Sequence, residues 1–296
     1  MKQVRFGWLL LWVLLSGFTL ADGYRDQFRK AFMSGDALAV EKVLADWEQS
    51  TPRDPDLYVA QFNWLLKKAE RIELQPAAVA QEAGIVIKDK KGKMVGSIGS
   101  GYDPVLANQA GAALIKGLTF APNRLDMHFG LAKLYEMTNQ PRLQIDALRN
   151  ALANRPKDGQ AWRWREGSVL PTAEEEFVPS SLEQYAGFYW RQEGDEALEH
   201  ARAIAELIEQ FYPKSSLGPF NTGVYYSVTK QPAKAYAKMQ QADALTPNDP
   251  YTIGNLTKLA IELKRKDVAA GYLARLRKLP NGKEAADDLA KELRKL

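Results

Sequence analysis

Prolines recur along the chain at a nearly constant spacing. The interval from Pro122 to Pro156 equals that from Pro213 to Pro247, and Pro280 follows Pro247 after an interval shorter by one position. Each of these prolines closes a run with apolar residues at helical spacing. Because proline lacks a backbone N–H and clashes with the preceding turn, it ends a helix. The spacing therefore predicts helical units of about 34 residues, a length typical of repeats that stack on one another.

The composition narrows the class of protein. Of 296 residues, 46% are hydrophobic and 26% are charged, and there is no cysteine. This excludes a disordered chain, a disulfide-stapled domain and any thiolate metal site. The two histidines, His128 and His200, lie far apart in different proline-closed units, so we expect neither a metal site nor a cofactor. No motif for nucleophilic or acid–base catalysis is present, which predicts a protein that is not an enzyme.

The first twenty-one residues have the layout of a secretory signal peptide. Lys2 and Arg5 precede an apolar run from Phe6 to Leu20, and small residues occupy the outer positions of Thr19-Leu20-Ala21. We predict cleavage after Ala21, and therefore a periplasmic or secreted protein that keeps no stable membrane span. A retained N-terminal anchor is the alternative, although a spanning helix needs about 20 apolar residues. Without this segment 38 basic residues face 36 acidic ones, a balance that does not favour nucleic-acid binding.

Small and aromatic residues occupy matching positions in two of the proline-closed units. The unit that ends at Pro156 contains Leu131, Ala132, Tyr135, Leu148 and Ala151. The unit that ends at Pro247 contains Gly223, Tyr226, Ala235, Met239 and Ala242. Both carry a Gln-Pro pair at the same register, Gln140-Pro141 and Gln231-Pro232. This pattern resembles the tetratricopeptide repeat (TPR) family, of an exported bacterial type.

The resemblance implies an all-α fold, a right-handed TPR-like helical-hairpin solenoid with a small β-hairpin insertion. We predict a solenoid of about six repeats over residues 22–282 and a C-terminal capping helix over 283–296. The repeats span roughly 21–54, 55–124, 125–158, 159–215, 216–249 and 250–282. In such a solenoid no repeat buries its apolar face alone, so stacking makes the core.

Insertions interrupt the second and fourth repeats. In the second, β-branched runs flank Asp89–Gly92, which predicts a β-hairpin at about 84–99. A hairpin by itself is marginal in water, so it leans on the repeats or lends a strand to a partner. We expect Gly96–Gly101 to form a flexible return into the next helix. In the fourth repeat we predict a long loop at about 165–181.

The resemblance implies a concave groove, lined by the first helix of each pair, that holds a protein or peptide partner. The candidate groove residues are Asp126, Phe129, Lys133 and Glu136 in the third repeat, and Phe220, Val224 and Ser227 in the fifth. Trp162, Arg163, Trp164 and Trp190 are further candidates for partner binding because tryptophan and arginine are enriched in binding hot spots. Alternatively, of Trp162 and Trp164, one lies in the core and the other stacks on an arginine.

The leading hypothesis is a non-enzymatic scaffold of cell-envelope assembly or maintenance. The alternative is an accessory protein that binds an envelope glycan or a small ligand. Its candidate stacking residues are Trp162, Trp164, Trp190, Tyr225 and Tyr226. An enzyme with a site in the 165–181 loop is the least favoured interpretation, since the sequence supplies neither a nucleophile nor a metal set for it.

Overall fold

A computed structural model describes residues 20–76, 85–157, 160–280 and 282–296. The predicted signal peptide lies almost wholly outside these residues. The described part contains thirteen α-helices: α1 Leu20–Ser34, α2 Ala37–Ser50, α3 Pro55–Ala69, α4 Pro104–Phe120, α5 Leu125–Met137, α6 Pro141–Ala153, α7 Glu174–Trp190, α8 Asp195–Phe211, α9 Leu217–Val228, α10 Pro232–Leu245, α11 Pro250–Glu262, α12 Lys266–Arg277 and α13 Gly282–Leu293. None of these described helices combines the length and the apolar character that crossing a membrane requires.

The chain divides into two compact units, an N-terminal unit, Met1–Val169, and a C-terminal unit, Leu170–Leu296. In the N-terminal unit α1 packs on α2, α3 on α4 and α5 on α6. In the C-terminal unit α7 packs on α8, α9 on α10 and α11 on α12, and α13 packs on α12. Successive helices therefore form hairpins, and the predicted all-α helical-hairpin fold is confirmed.

Prolines mark both ends of the hairpins. The five periodic prolines each follow the end of a second helix by two or three residues, as the sequence predicted. Another set of prolines is the first residue of a helix: Pro55, Pro104, Pro141, Pro232 and Pro250. The first helical position suits proline because the N–H that it lacks has no partner within the helix there.

The turns inside three hairpins share one backbone geometry. Asn139, Lys230 and Lys264 have positive φ angles of 52°, 59° and 58°. In each case the next backbone N–H donates to the carbonyl five residues earlier, at 2.7 to 2.8 Å. Such a left-handed residue after a helix closes off its last carbonyls and reverses the chain. The backbone conformation of these three turns is therefore the same, although the residue type at the turn is not.

A three-stranded antiparallel sheet lies between α3 and α4 in the chain. Its strands are β1 Glu70–Pro76, β2 Ile85–Lys88 and β3 Met94–Tyr102, in the order β1-β3-β2. The predicted hairpin corresponds to β2 and β3 and is confirmed. The sequence analysis missed β1, which continues directly from α3 and pairs with β3 along its whole length. The third strand gives the hairpin the support that two strands alone lack.

The expectation of a flexible glycine-rich return is wrong. Gly96–Gly101 lies within β3. Gly101 pairs with Arg71, and a Cβ atom at this position would come within 2.2 Å of the Glu73 carboxyl group. The glycine therefore makes room for a side chain of the neighbouring strand, which is a common use of glycine inside strands.

The loop predicted at about 165–181 is also corrected. It ends at Ala173, because α7 begins at Glu174. Three glutamates, Glu174 to Glu176, occupy the first turn of α7, where the helix dipole favours negative charge. Pro179, which the sequence analysis took as part of the loop, lies inside this helix. Proline normally disfavours a helix interior, but here packing outweighs that preference, since Val178 and Leu182 beside it are fully buried.

Candidate binding pocket in the N-terminal unit

A cavity of about 460 Å³ lies against the first helices of the N-terminal unit. Its volume falls within the range of roughly 300 to 1,000 Å³ that is typical of ligand pockets. The apolar walls come from α1 and α3, through the side chains of Phe28, Phe32, Met33, Val59, Ala60 and Leu66. Behind them lies Trp47 of α2, which is 1% exposed. The pocket is thus an apolar recess between two consecutive helical hairpins.

Charged side chains surround this recess. The basic lining residues are Arg25, Arg29, Lys67, Arg124 and Arg165, and the acidic ones are Asp56, Glu70, Asp126 and Glu166. Positive and negative charges nearly balance, so the pocket is not suited to a highly charged ligand. A few polar groups around apolar walls instead orient an apolar group that enters.

Two arginines and two aspartates form a buried network at one end of the pocket. Arg124 donates two hydrogen bonds of 2.8 Å to the carboxylate of Asp126 and makes an ion pair of 2.7 Å with Asp56. Arg25 makes an ion pair of 2.5 Å with the other oxygen of Asp56. Arg124 and Asp126 are each only 4% exposed. Because buried charges are costly unless paired, each member of the network depends on the others.

The network holds the Arg124 guanidinium in its charged form. Burial lowers the pKa of Arg124, but the hydrogen bonds and negative charges of Asp126 and Asp56 outweigh it and raise the pKa above its ordinary value. A permanently charged arginine suits a positioning role and excludes acid–base chemistry. Nearby, burial lowers the pKa of His128, and its Nε2 lies 2.9 Å from the Pro122 carbonyl oxygen. Arg124 therefore holds charges in place at the pocket, while His128 packs between the Pro122 carbonyl and Trp162.

The start of α3 positions Asp56 of the network. Asp54 is the N-cap of α3, and its carboxylate accepts a hydrogen bond of 3.0 Å from the Asp56 backbone N–H. The same carboxylate accepts a hydrogen bond of 3.1 Å from the Trp47 indole. Asp56 is thereby held in the first turn of α3, where the helix dipole stabilises its negative charge.

A short segment of the chain, the strap (residues 161–168), forms one wall of the pocket. The Arg163 N–H donates to the Asn123 carbonyl at 2.8 Å, and the Leu125 N–H donates to the Arg163 carbonyl at 2.9 Å. Further along the strap, Glu166 lies 3.6 Å from Arg29 of α1. Arg165 and Glu166 both line the cavity. The chain itself therefore covers part of the first-helix face and leaves the recess between α1 and α3 accessible.

The structure places the predicted residues of α5 mostly inside the unit. Asp126 belongs to the buried network, and Phe129 is 6% exposed and packs edge-on against Trp164. Glu136 is 8% exposed and accepts hydrogen bonds from Lys133 and Gln144. Of the four candidates only the Lys133 side chain is exposed. Asp126 alone among them lines the pocket.

The strap tryptophans need a correction. Trp162 is 1% exposed and packs edge-on against His128, so a partner has no access to its side chain. Trp164 is half-buried, and the Arg165 guanidinium lies 5.8 Å from its ring centre. This is the alternative stated from the sequence, with one tryptophan in the core and the other beside an arginine. Arg163 is exposed, and its backbone joins the strap to α5.

The other candidates belong to the C-terminal unit. The Trp190 indole donates a hydrogen bond of 3.2 Å to the Asn221 side chain. Phe220 and Val224 are half-buried against the apolar cluster of α10 and α11, and Ser227 is half-buried. Of the tyrosines considered for glycan stacking, Tyr225 is 8% exposed. None of these residues lines the cavity of the N-terminal unit.

Sequence reasoning missed most of the pocket. The missed residues include Arg25, Phe28, Arg29, Phe32, Met33, Val59, Asn63 and Arg124. One signal was available, since Phe28 and Phe32 are four residues apart and such residues share one face of a helix. Nothing local indicated that this face remains uncovered or that Arg124 reaches Asp56.

Within the described ranges no group of three or more acidic or histidine side chains is arranged to hold a metal ion. His128 packs on Trp162, and His200 packs on Tyr189, so each histidine is held among aromatic rings. The pocket combines an apolar recess with fixed charges. In such a pocket the apolar walls bind a ligand group of matching shape, and the charged groups fix its orientation.

Helical hairpins follow one another along the chain, and three of them share one turn geometry. This architecture defines an all-α helical-hairpin repeat protein. Solved structures similar to this chain include Pseudomonas aeruginosa PilF, with 20% identity over 64% of this chain and 83% of that chain, at a TM-score of 0.38. TTC0263, a TPR protein of Thermus thermophilus, has 19% identity over 64% of this chain and 91% of that chain, at a TM-score of 0.34.

The TPR2AB domain of yeast Sti1, solved as a pHSP90 complex, has 11% identity over 93% of this chain and 98% of that chain, at a TM-score of 0.36. Comparison with protein-family models found no match, and comparison with curated proteins found none either. The class of protein therefore rests on the chain's own architecture.

Proposed function

We propose that the protein is a non-enzymatic scaffold of the cell envelope and that it binds an apolar segment of a protein partner in the pocket of the N-terminal unit. The observation that carries this proposal is the apolar recess between α1 and α3, bordered by fixed charges. Pockets that receive one or two large side chains are the usual centres of protein interfaces. The predicted signal peptide supports the proposed location.

The lining residues favour a short segment with apolar side chains on one face. Phe28, Phe32 and Val59 offer apolar contact, while Arg29 and Asn63 border the same space with groups that hydrogen-bond a polypeptide backbone. An amphipathic helix or an extended segment satisfies both requirements. The exposed Lys133 and the half-buried α9 residues Phe220, Val224 and Ser227 remain proposed additional contacts.

The glycan alternative has less support. It depends on exposed aromatic rings, but Trp162 is buried and Trp190 already donates its indole N–H to Asn221. The aromatic side chains of the pocket, Phe28 and Phe32, are half-buried in its walls. Several charged groups beside them are engaged with one another, as in the ion pairs of Asp56 with Arg25 and Arg124, which leaves fewer hydrogen-bonding groups for sugar hydroxyls.

Site-specific photo-crosslinking tests the proposal. Met33 lines the pocket and is 57% exposed, whereas Leu38, five residues away, is 81% exposed and does not line it. A photoreactive amino acid is placed at each position in the full-length protein, in the cells that produce it. We expect a discrete polypeptide adduct in the envelope fraction from position 33 and none from position 38.

A pocket-filling variant is the matched control for this experiment. Val59→Trp places a large ring in the recess and is expected to abolish the adduct at position 33, because the space for the partner is lost. An adduct without a polypeptide would indicate a small ligand instead. Equal labelling at positions 33 and 38, or no adduct at 33, would refute the proposed site.

A further inference from the structure

The sheet of the N-terminal unit ends in a tight turn between β2 and β3. β3 enters α4 just after Tyr102, while its first residue, Met94, lies eight residues away, roughly 26 Å at the rise of a strand. Beyond Met94 the chain turns through Asp89 and Gly92, closed by backbone hydrogen bonds of 2.8 and 3.0 Å. The turn therefore lies at the end of β3 opposite to the end that joins α4, where β1 also leaves α3.

Four lysines surround this turn: Lys88, Lys90, Lys91 and Lys93. All four are exposed, and none makes an ion pair with any residue that the structure describes. The one acidic residue among them is Asp89, whose carboxylate accepts hydrogen bonds of 2.8 and 2.9 Å from the backbone N–H groups of Lys91 and Lys93. The turn thus presents a net positive charge.

Two exposed valines accompany the lysines. Val86 is 44% exposed and Val95 is 52% exposed. Val86 lies on β2 and Val95 on β3, on either side of the turn. The pairing is irregular here, since Ile87 pairs with Gly96 but Lys88 pairs with Met94, which leaves Val95 as the extra residue of a β-bulge. An apolar pair bordered by lysines is amphipathic, because lysine stems extend along apolar surface and carry the charge to its edge.

We propose that this lysine finger, residues 85–102, docks on an anionic lipid surface. Its lysines attract anionic headgroups, and its valines enter the boundary between headgroups and acyl chains. An acidic protein would match the charge but does not account for the exposed valine pair. No residue of the finger lines the pocket, so this proposal does not depend on the proposed function.

Vesicle flotation of the full chain tests the docking. The readout is the ratio of binding to phosphatidylcholine vesicles with and without phosphatidylglycerol, compared between wild type and variants that all carry the same N-terminal segment. We expect wild-type protein to prefer the anionic vesicles and to lose that preference at high salt. Each lysine near an anionic surface contributes about fivefold to binding. The variant K88Q/K90Q/K91Q/K93Q is therefore expected to lose at least about tenfold of the preference.

A charge-matched control separates the finger from overall charge. Lys258, Lys264, Lys266 and Lys278 of the C-terminal unit also make no ion pair within the described residues. Their quadruple change to glutamine lowers the net charge equally and should keep the preference for anionic vesicles.

The valines are tested separately. V86S/V95S is expected to weaken binding to the anionic vesicles, while V105S, at an exposed valine of α4, should not. The proposal is overturned if wild type shows no preference, if both quadruple variants lose it equally, or if V86S/V95S binds like wild type.

Discussion

At the scale of single residues, Arg124 connects the pocket to the core. It makes ion pairs with both Asp56 and Asp126, and these two carboxylates reach it from different helices. The sequence analysis selected Asp126 as a groove residue but not Arg124. Its partner Asp56 lies far earlier in the chain, beyond the whole sheet and α4, and no sequence spacing indicates that the two meet.

Replacing Arg124 with methionine is expected to destabilise the protein by about 3 to 5 kcal/mol, because Asp126 is left buried without a counter-charge. Urea unfolding of the full chain, followed by circular dichroism, measures this cost. The double variant R124M/D126L should recover part of the loss, since it removes the isolated charge as well.

The exposed pair of Lys42 and Asp46 is the control for Arg124. These side chains are 75% and 48% exposed, and an exposed ion pair contributes little to stability. Lys42→Met should therefore unfold like wild type. An Arg124→Met variant as stable as Lys42→Met would mean that the charges at the pocket are solvated, contrary to the buried network described above.

At the scale of elements, close packing within and between hairpins depends on small residues. Gly117 of α4 faces Tyr58 of α3 and Met127 of α5. A Cβ atom at this glycine would lie 2.3 Å from the Met127 methyl carbon and 2.8 Å from the Tyr58 Cβ. The methionine end is flexible, but the tyrosine Cβ is fixed to its backbone, so the helices must separate to admit a methyl group.

Gly117→Ala is expected to destabilise the protein by about 1 to 3 kcal/mol through overpacking. This cost exceeds the gain of about 1 kcal/mol that alanine brings to a helix interior. Gly271→Ala in α12 is the matched control, since nothing lies within 4 Å of the added methyl group. Urea unfolding should therefore show a lower free energy of unfolding for Gly117→Ala and a higher one for Gly271→Ala than for wild type. A stabilised Gly117→Ala protein would show that α3 and α4 do not approach closely at this point.

Elements also show where local sequence signals succeed. The strands β2 and β3 were predicted because β-branched runs flank a turn, and the helix ends were predicted because proline stops a helix. β1 was missed, although Ile72 and Leu74 alternate with polar residues, because it follows α3 without a break. The start of α7 was misplaced because proline usually indicates a loop, whereas packing keeps Pro179 inside the helix.

At the scale of the whole molecule, each unit has its own apolar core. In the N-terminal unit the fully buried side chains include Trp47, Leu57, Tyr58 and Leu114. In the C-terminal unit one cluster centres on Met239, Leu256 and Ala260, and another on Ile253, Leu276 and Ala286. A repeat unit is stable when its neighbours cover its apolar face.

The C-terminal unit, expressed alone as residues 170–296, is expected to fold, because three hairpins and α13 bury their apolar faces against one another. Helical circular dichroism during urea unfolding should show a single cooperative transition. A gradual loss of signal without a transition would mean that this core requires residues before Leu170.

The sequence by itself determined the helical-hairpin architecture, the regular spacing of its closing prolines and the β2–β3 hairpin. These features follow from local rules: apolar spacing selects helix or strand, and proline and glycine mark the ends. Only the tertiary structure decided which face stays open. It turned Trp162 inward and assembled a pocket from side chains that lie between Arg25 and Glu166 in the chain. The physical reason is that burial and ion pairing depend on which distant helices meet, and that is settled by packing rather than by the neighbours of a residue in the chain.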